Sequence, residues 1–249
     1  MVTPPDHDQI DHLAQARARV LERIGDACAR AGRDPADVTL IAVSKTVDAA
    51  RLRAAVAAGL TTLGENRVQE GEAKAPEVPG ASWQLVGPLQ SNKARRALEV
   101  FDAIQTVDSV ALGERLDRLA AEVRPGARYP VLIQVNVDAD PAKAGFAPGA
   151  VEAALPTLLD LANLEVRGLM TVGRLATDPA DARATFTGLR VLGEGLRSRW
   201  PALGPALSMG MSDDFELAIE EGATIVRVGR AIFGERPHHH APDEPAHEH

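Results

Sequence analysis

The chain has one cysteine, one tyrosine and, between Leu13 and Pro237, no histidine. Each shortage closes off a class of chemistry. With Cys28 alone there is no intramolecular disulfide and no paired-cysteine redox or metal site. Histidine is confined to His7 and His12 near the start and to His238, His239, His240, His247 and His249 at the end. The body of the chain therefore offers neither an imidazole base nor a histidine-ligated metal centre. No stretch approaches the ~20 apolar residues of a membrane span, and the opening "MVTPPDHDQ" has no apolar signal-peptide core, which points to the cytoplasm. Basic residues are also short, 27 against 35 acidic for a net charge of −8. That balance argues against a general nucleic-acid binder, whose affinity would rest on neutralising phosphates.

What is present is enough for one large core: 249 residues, 45% of them hydrophobic. Eight short β-rich runs recur, at 38–44, 61–65, 83–87, 103–107, 131–137, 166–172, 206–210 and 224–229. Helical periodicity fills the gaps, as in Leu112, Leu116, Leu119 and Val123, in Val151, Leu155, Leu158 and Ala162, and in Phe186, Leu189 and Leu196. An amphipathic helix over 8–31, ending at a left-handed Gly32, precedes the first strand. A dinucleotide-binding sheet would carry GxGxxG after that strand, where "SKTVDA" stands instead. The pattern predicts an α/β fold, a single (β/α)8 TIM-type barrel with an extra N-terminal helix. It would occupy 8–236, between a flexible 1–7 and a disordered, Pro- and His-rich tail over 237–249.

Barrels collect their chemistry at the C-terminal ends of the strands. Lys45 follows the first strand, Glu65 and Asn66 the second, Gly87 the third; Asn136 lies near the end of the fifth, Met170 and Thr171 near that of the sixth. Residues from Ser208 through Gly210 and Met211 to Ser212 cover the seventh, and Gly229 with Arg230 follow the eighth. Lys45 is the one ready nucleophile of the set, since an amine of lowered pKa condenses with an aldehyde. The stretches "SMGMSDD" and "RVGRAIFG" pair small residues with helix starts, the way barrels cradle a phosphate, while Arg227 and Arg230 add positive charge. An aldehyde-binding lysine opposite a phosphate cup suggests pyridoxal 5′-phosphate. Asp213 and Asp214 would repel that phosphate unless they point away, and Asp213 with Glu216 also reads as a capping box.

The motifs "AVSKT", "GENRVQE", "WQLVGPLQSNK", "VRGLMTVG", "LSMGMSDDFELAI" and "VRVGRAIFGER" occur in order over roughly 38–236. Together they resemble the pyridoxal phosphate homeostasis protein family, whose barrel is akin to the N-terminal domain of alanine racemase. The resemblance implies that Lys45 holds the cofactor as a Schiff base. It also implies that Met211, Ser212, Gly229 and Arg230 cradle the phosphate with Ser208 and Gly210 beneath them, that Arg227 faces the pyridine nitrogen and that Asn66 lines the ring. Arg230 departs from the Thr or Ser that relatives often carry there, so a backbone N–H or the guanidinium would replace a hydroxyl contact. With aromatics at 3%, aliphatic side chains and Asn66 would flank the ring.

An arginine at the pyridine nitrogen keeps it unprotonated and weakens the ring as an electron sink. The second base of a racemase, a tyrosine in a further domain by the resemblance, has no counterpart, because Tyr129 precedes the fifth strand at the other end of the barrel. The leading expectation is a non-catalytic, monomeric protein that buffers pyridoxal 5′-phosphate or delivers it to apoenzymes. A weak amino-acid racemase or lyase is the alternative, and a scaffold without cofactor the third reading. Trp83, Met170 and Cys28 read as core. In "QSNKARR", Lys93, Arg95 and Arg96 read as a solvated helix face that could otherwise receive an anionic ligand or a client enzyme.

Overall fold

The computed structural model of the protein describes residues 6–173 and 178–234. The first five residues and the His-rich tail, with the expectations placed on them, lie outside that range. Eight parallel strands close into a barrel in sequence order: β1 (Thr39–Val43), β2 (Thr62–Glu65), β3 (Ser82–Leu85), β4 (Ala103–Val107), β5 (Tyr129–Gln134), β6 (Leu164–Met170), β7 (Ala206–Ser208) and β8 (Ile225–Val228). Closure is made where β8 pairs with β1, Ile225 beside Thr39 and Arg227 beside Ile41. A closed sheet leaves no edge to template other chains, so the strands can be short and apolar.

Helices α2 (Ala49–Ala57), α3 (Val68–Lys74), α4 (Ala94–Val100), α5 (Val110–Val123), α6 (Pro148–Leu159), α7 (Pro179–Arg199), α8 (Phe215–Glu220) and α9 (Arg230–Phe233) follow the strands in turn. Their inward faces carry the residues that the helical spacing predicts: Leu112 and Leu116, Val151, Leu155 and Leu158, and Phe186, Leu189 and Leu196 are all buried. Trp83, Met170 and Cys28 are buried too.

The extra helix α1 (His7–Ala31) is capped by the Asp6 carboxylate, which accepts the Asp8 N–H at 3.2 Å. Gly32 ends it in the left-handed conformation (φ 65°), where the Gly32 and Arg33 N–H groups reach the carbonyls of Ala29 and Cys28. Leu13, Ala16, Val20, Ile24 and Ala27 bury one stripe of α1 against α2, α8 and α9, across the seam where β8 meets β1. Arg23 clamps Glu216 with two bonds of 2.8 Å, and Arg30 bonds Glu220 at 2.8 Å.

Every strand but β4 differs from the sequence reading by up to three residues at one end or both, and the shifts in β5 and β7 have clear causes. β5 starts at Tyr129, two residues early, because Pro130 resembles a turn signal yet needs no ladder N–H near the start of a strand. It stops at Gln134, since the Asn136 N–H turns away to the Phe146 carbonyl. β7 ends at Ser208, before Gly210 swings the chain away with φ 90°. A Cβ on Gly210 would also stand 2.6 Å from Ala218, so this bend admits no side chain.

Tyr129 thus opens β5, at the N-terminal end of the barrel. It is buried, donates its hydroxyl to the Phe101 carbonyl at 2.7 Å, and burial pushes its phenol well above the ordinary range. A phenol whose pKa is higher folded than unfolded subtracts stability as pH rises past the unfolded value of about 10. As the chain's sole tyrosine it gives a one-group titration. Phenolate absorbance should rise only together with loss of helical circular dichroism, and near pH ~10 in denaturant; a reversible rise in the folded protein would contradict the burial.

Candidate functional site

At the C-terminal end of β1 the chain makes a β-turn over Ser44–Val47, closed by the Val47 N–H on the Ser44 carbonyl at 3.0 Å. Lys45 takes its second position. Thr46 takes the third with φ 67°, a left-handed conformation that disfavours a β-branched residue by roughly 1–3 kcal/mol. Something must hold this turn, and the neighbouring strand β2 and the helix α3 that follows it supply it. Lys74 Nζ donates to the Ser44 carbonyl at 2.9 Å, to Glu65 Oε1 at 2.7 Å and to Glu70 Oε2 at 3.3 Å. Ser44 Oγ donates to Glu65 Oε1 at 2.7 Å, and Glu70 accepts the Thr46 N–H at 3.3 Å.

This is a buried ion pair, with side-chain exposures of 13% for Lys74 and 0% for Glu65. Burial pushes the Glu65 carboxyl up, against the pull of Lys74 and Ser44, and Glu65 Oε2 has no hydrogen-bond partner among the described residues. At Glu70, burial acts upward too, but the Thr46 N–H and Lys74 outweigh it and hold the carboxyl below its usual range.

The second charged centre is Arg227 on β8, the strand beside β1. Only 4% exposed, it donates to Ser208 Oγ at 2.6 Å and to the Thr171 carbonyl at 2.7 Å. Ser208 Oγ donates in turn to Gln105 Oε1 at 2.6 Å, and Gln105 Nε2 to Gln84 Oε1 at 2.6 Å. β7 and β4 are not neighbours in the wall, so the Ser208–Gln105 bond crosses the lumen. Burial lowers the Arg227 guanidinium to about 10, partly offset by Asp214, and it remains a cation at neutral pH.

After β7 and β8 the chain forms a cup. Ser212 Oγ accepts the N–H groups of Gly229 at 3.2 Å and Ala231 at 3.5 Å. The N–H groups of Ser212, Asp213 and Arg230 have no acceptor among the described residues. The aspartates beside the cup do not form the capping box with Glu216. Asp213 pairs with the Arg230 guanidinium, Asp214 accepts the Met211 N–H at 2.6 Å, and Glu216 belongs to Arg23. Arg230 therefore has its charge matched by Asp213, leaving its backbone N–H as the group that can meet an anion. Burial pushes the Asp214 carboxyl up, opposed by the Met211 N–H and by Arg227.

Lys45, Arg227, Ser212, Gly229 and Arg230 thus gather on the three consecutive strand ends of β7, β8 and β1. Asn66 joins them from β2, half-buried and packed so closely on Gly87 that a Cβ there would lie 2.2 Å from the Asn66 carbonyl oxygen. Met211 is exposed at the rim, and Gly210 lies beneath the cup. Ser208 is fully buried, bonded to Arg227 and Gln105. The sequence reading missed Lys74, Glu70, Gln84 and Gln105. Their signals were a Glu-x-x-x-Lys spacing over 70–74, and a lone glutamine inside each of two otherwise apolar strand runs.

A (β/α)8 barrel with a lysine turn, a buried arginine and an amide-lined cup on adjoining strand ends belongs to a recognisable class. The family model for the alanine racemase N-terminal domain matches residues 17–237. The alanine racemase of Clostridium difficile, 13% identical, shares the fold with a TM-score of 0.71 over 95% of this chain and 63% of that one. Within the class, this chain belongs to the pyridoxal phosphate homeostasis proteins. The member from Pseudomonas aeruginosa is 44% identical over 229 residues, 90% of this chain and 96% of that protein. PipY of Synechococcus elongatus, solved with PLP bound, is 45% identical with a TM-score of 0.75, covering 85% of this chain and 100% of that one.

The network beneath the lysine turn predicts a measurable loss. Lys74→Met strands the Glu65 carboxylate and should lower stability by about 3–5 kcal/mol in denaturant unfolding. The double variant Glu65→Gln/Lys74→Met should recover much of it; equal losses in both would mean that Lys74 acts through packing alone.

Proposed function

We propose that this protein holds pyridoxal 5′-phosphate at the barrel mouth, joined reversibly to Nζ of Lys45, and keeps or hands on the cofactor rather than turning over a substrate. One observation carries the reading: an amine, a buried cation and a cup of N–H groups without an acceptor among the described residues stand on three consecutive strand ends, one for each part of the cofactor. When bound, the group supplies an electrophilic aldehyde, a pyridine ring and a phosphate.

Each role then falls to named atoms. The turn held by Lys74 and Glu70 presents Lys45 to the aldehyde. Met211, Ser212 and Gly229 shape the phosphate cup, with backbone N–H groups of Ser212 and Arg230 as donors. The Asp213–Arg230 pair removes the like-charge repulsion that Asp213 would otherwise exert. Gly210 lets the cup approach α8, and Asn66 flanks the ring. Arg227 can only donate and keeps its own proton at neutral pH, so a ring nitrogen facing it stays unprotonated. Ser208 serves by fixing Arg227 in the lumen.

The same arrangement supports weak catalysis at most. Tyr129 is at the far end of the barrel, while His7 and His12 lie on the exposed side of α1. Among the described residues, neither type is available at the mouth as the second base of a racemase. Barrel and cup come from one chain, which favours a monomer, and the apoenzymes that need the cofactor are its expected clients.

Adding pyridoxal 5′-phosphate should produce a visible absorption band, and borohydride should then fix one cofactor on the Lys45 peptide, seen by mass; Lys45→Ala should abolish both. With amino acids, turnover should stay far below the ~1–10³ per second of ordinary enzymes. Fast, Lys45-dependent racemisation or elimination would replace the carrier reading with an enzyme.

A further inference from the structure

Beside the mouth, between the segments that follow β2 and β3, lies a cavity of about 550 Å³ that shares only Asn66 and Glu70 with the cofactor reading. Its charged lining is Arg67, Lys93 and Glu70, with the side-chain amides of Asn66, Gln69 and Gln90 between them. The volume falls within the ~300–1,000 Å³ of small-molecule sites, and these polar residues share the wall with Val68 and Pro88.

The cations are what mark it. Eleven of the described arginines pair with carboxylates, and the basic run in "QSNKARR" is divided: Arg95 pairs with Glu122 and Arg96 with Glu72. Lys93 and Arg67 have no carboxylate partner among the described residues. Glu70, the one carboxylate in the wall, is committed to Lys74 and the Thr46 N–H. The cavity therefore keeps an excess of positive charge and several amide donors. An arginine fork and a lysine point charge facing one space match a phosphate, which accepts from both at once.

We infer that this cavity is a second ligand site, taking a small phosphate-bearing molecule next to the cofactor mouth. Asn66 and Glu70 belong to both places, so occupancy reaches the lysine turn through the Glu70–Thr46 contact. The inference does not require Lys45 to hold anything.

Amide chemical shifts of the isotopically labelled full chain read the two sites separately, Gln69 and Gln90 for the cavity, Ser212 and Gly229 for the cup. Titrated with inorganic phosphate alone, Gln69 and Gln90 should shift saturably. In Arg67→Gln/Lys93→Gln the affinity at those two amides should fall about ten-fold or more, with the cup's shifts retained and the melting temperature unchanged. Pyridoxine 5′-phosphate, which lacks the aldehyde, distinguishes the source: tighter binding than phosphate at Gln69 and Gln90 identifies a cofactor-like molecule, equal binding an independent phosphate ligand. Shifts confined to Ser212 and Gly229, shifts at Gln69 and Gln90 that survive the double variant, or succinate binding as well as phosphate would each overturn the inference. Loss of cofactor loading in Lys45→Ala bears only on the carrier reading, so the two fail separately.

Discussion

A guanidinium withdrawn from water must be surrounded by acceptors, and much of the barrel interior is arranged to meet that demand for Arg227. Burying an unpaired cation is prohibitive, so the strands around it give up apolar positions. Ser208 Oγ and the Thr171 carbonyl accept its N–H groups directly. Gln105 then accepts from Ser208 across the lumen and donates on to Gln84. Hydrogen bonds in such a dry chain reinforce one another, and an interrupted chain leaves several groups unsatisfied at once. The lumen is thus a fitted polar seam inside an apolar wall, and it fixes where a cation stands relative to the lysine turn on the adjoining strand.

The lysine turn has its own support of the same kind. Thr46 sits in a conformation that its side chain resists, and the Glu65–Lys74–Glu70 cluster holds it from beneath. A site made of two rigidly supported charges on neighbouring strands is well suited to retention.

The barrel was legible in the sequence because it depends on period: eight apolar runs separated by helical spacing admit few other closed solutions, and the mouth residues follow from the topology. Lys45, Asn66, Ser212 and Gly229 were read onto that mouth from strand ends, and Arg227 from the resemblance. The supports could not. That Ser208 faces Gln105 depends on two strands meeting across the lumen, 103 residues apart in the chain. The fate of Asp213 depends on Arg230 arriving from the next loop, a pairing that local capping rules cannot anticipate. The Tyr129 boundary failed for a local reason, a proline whose missing N–H goes unnoticed near the start of a strand.

The N-terminal helix has a consequence in time. Its buried stripe has no partner in the sequence that follows it immediately apart from α2, because the rest of its contact surface, α8 and α9, lies nearly two hundred residues downstream. During synthesis, α1 is therefore made before the barrel strands, and its apolar face waits for α8 and α9 while those strands accumulate. Contacts of such long sequence separation slow folding and prolong the exposure of sticky surface. The helix that seals the barrel seam in the finished molecule is the part of the nascent chain most in need of protection.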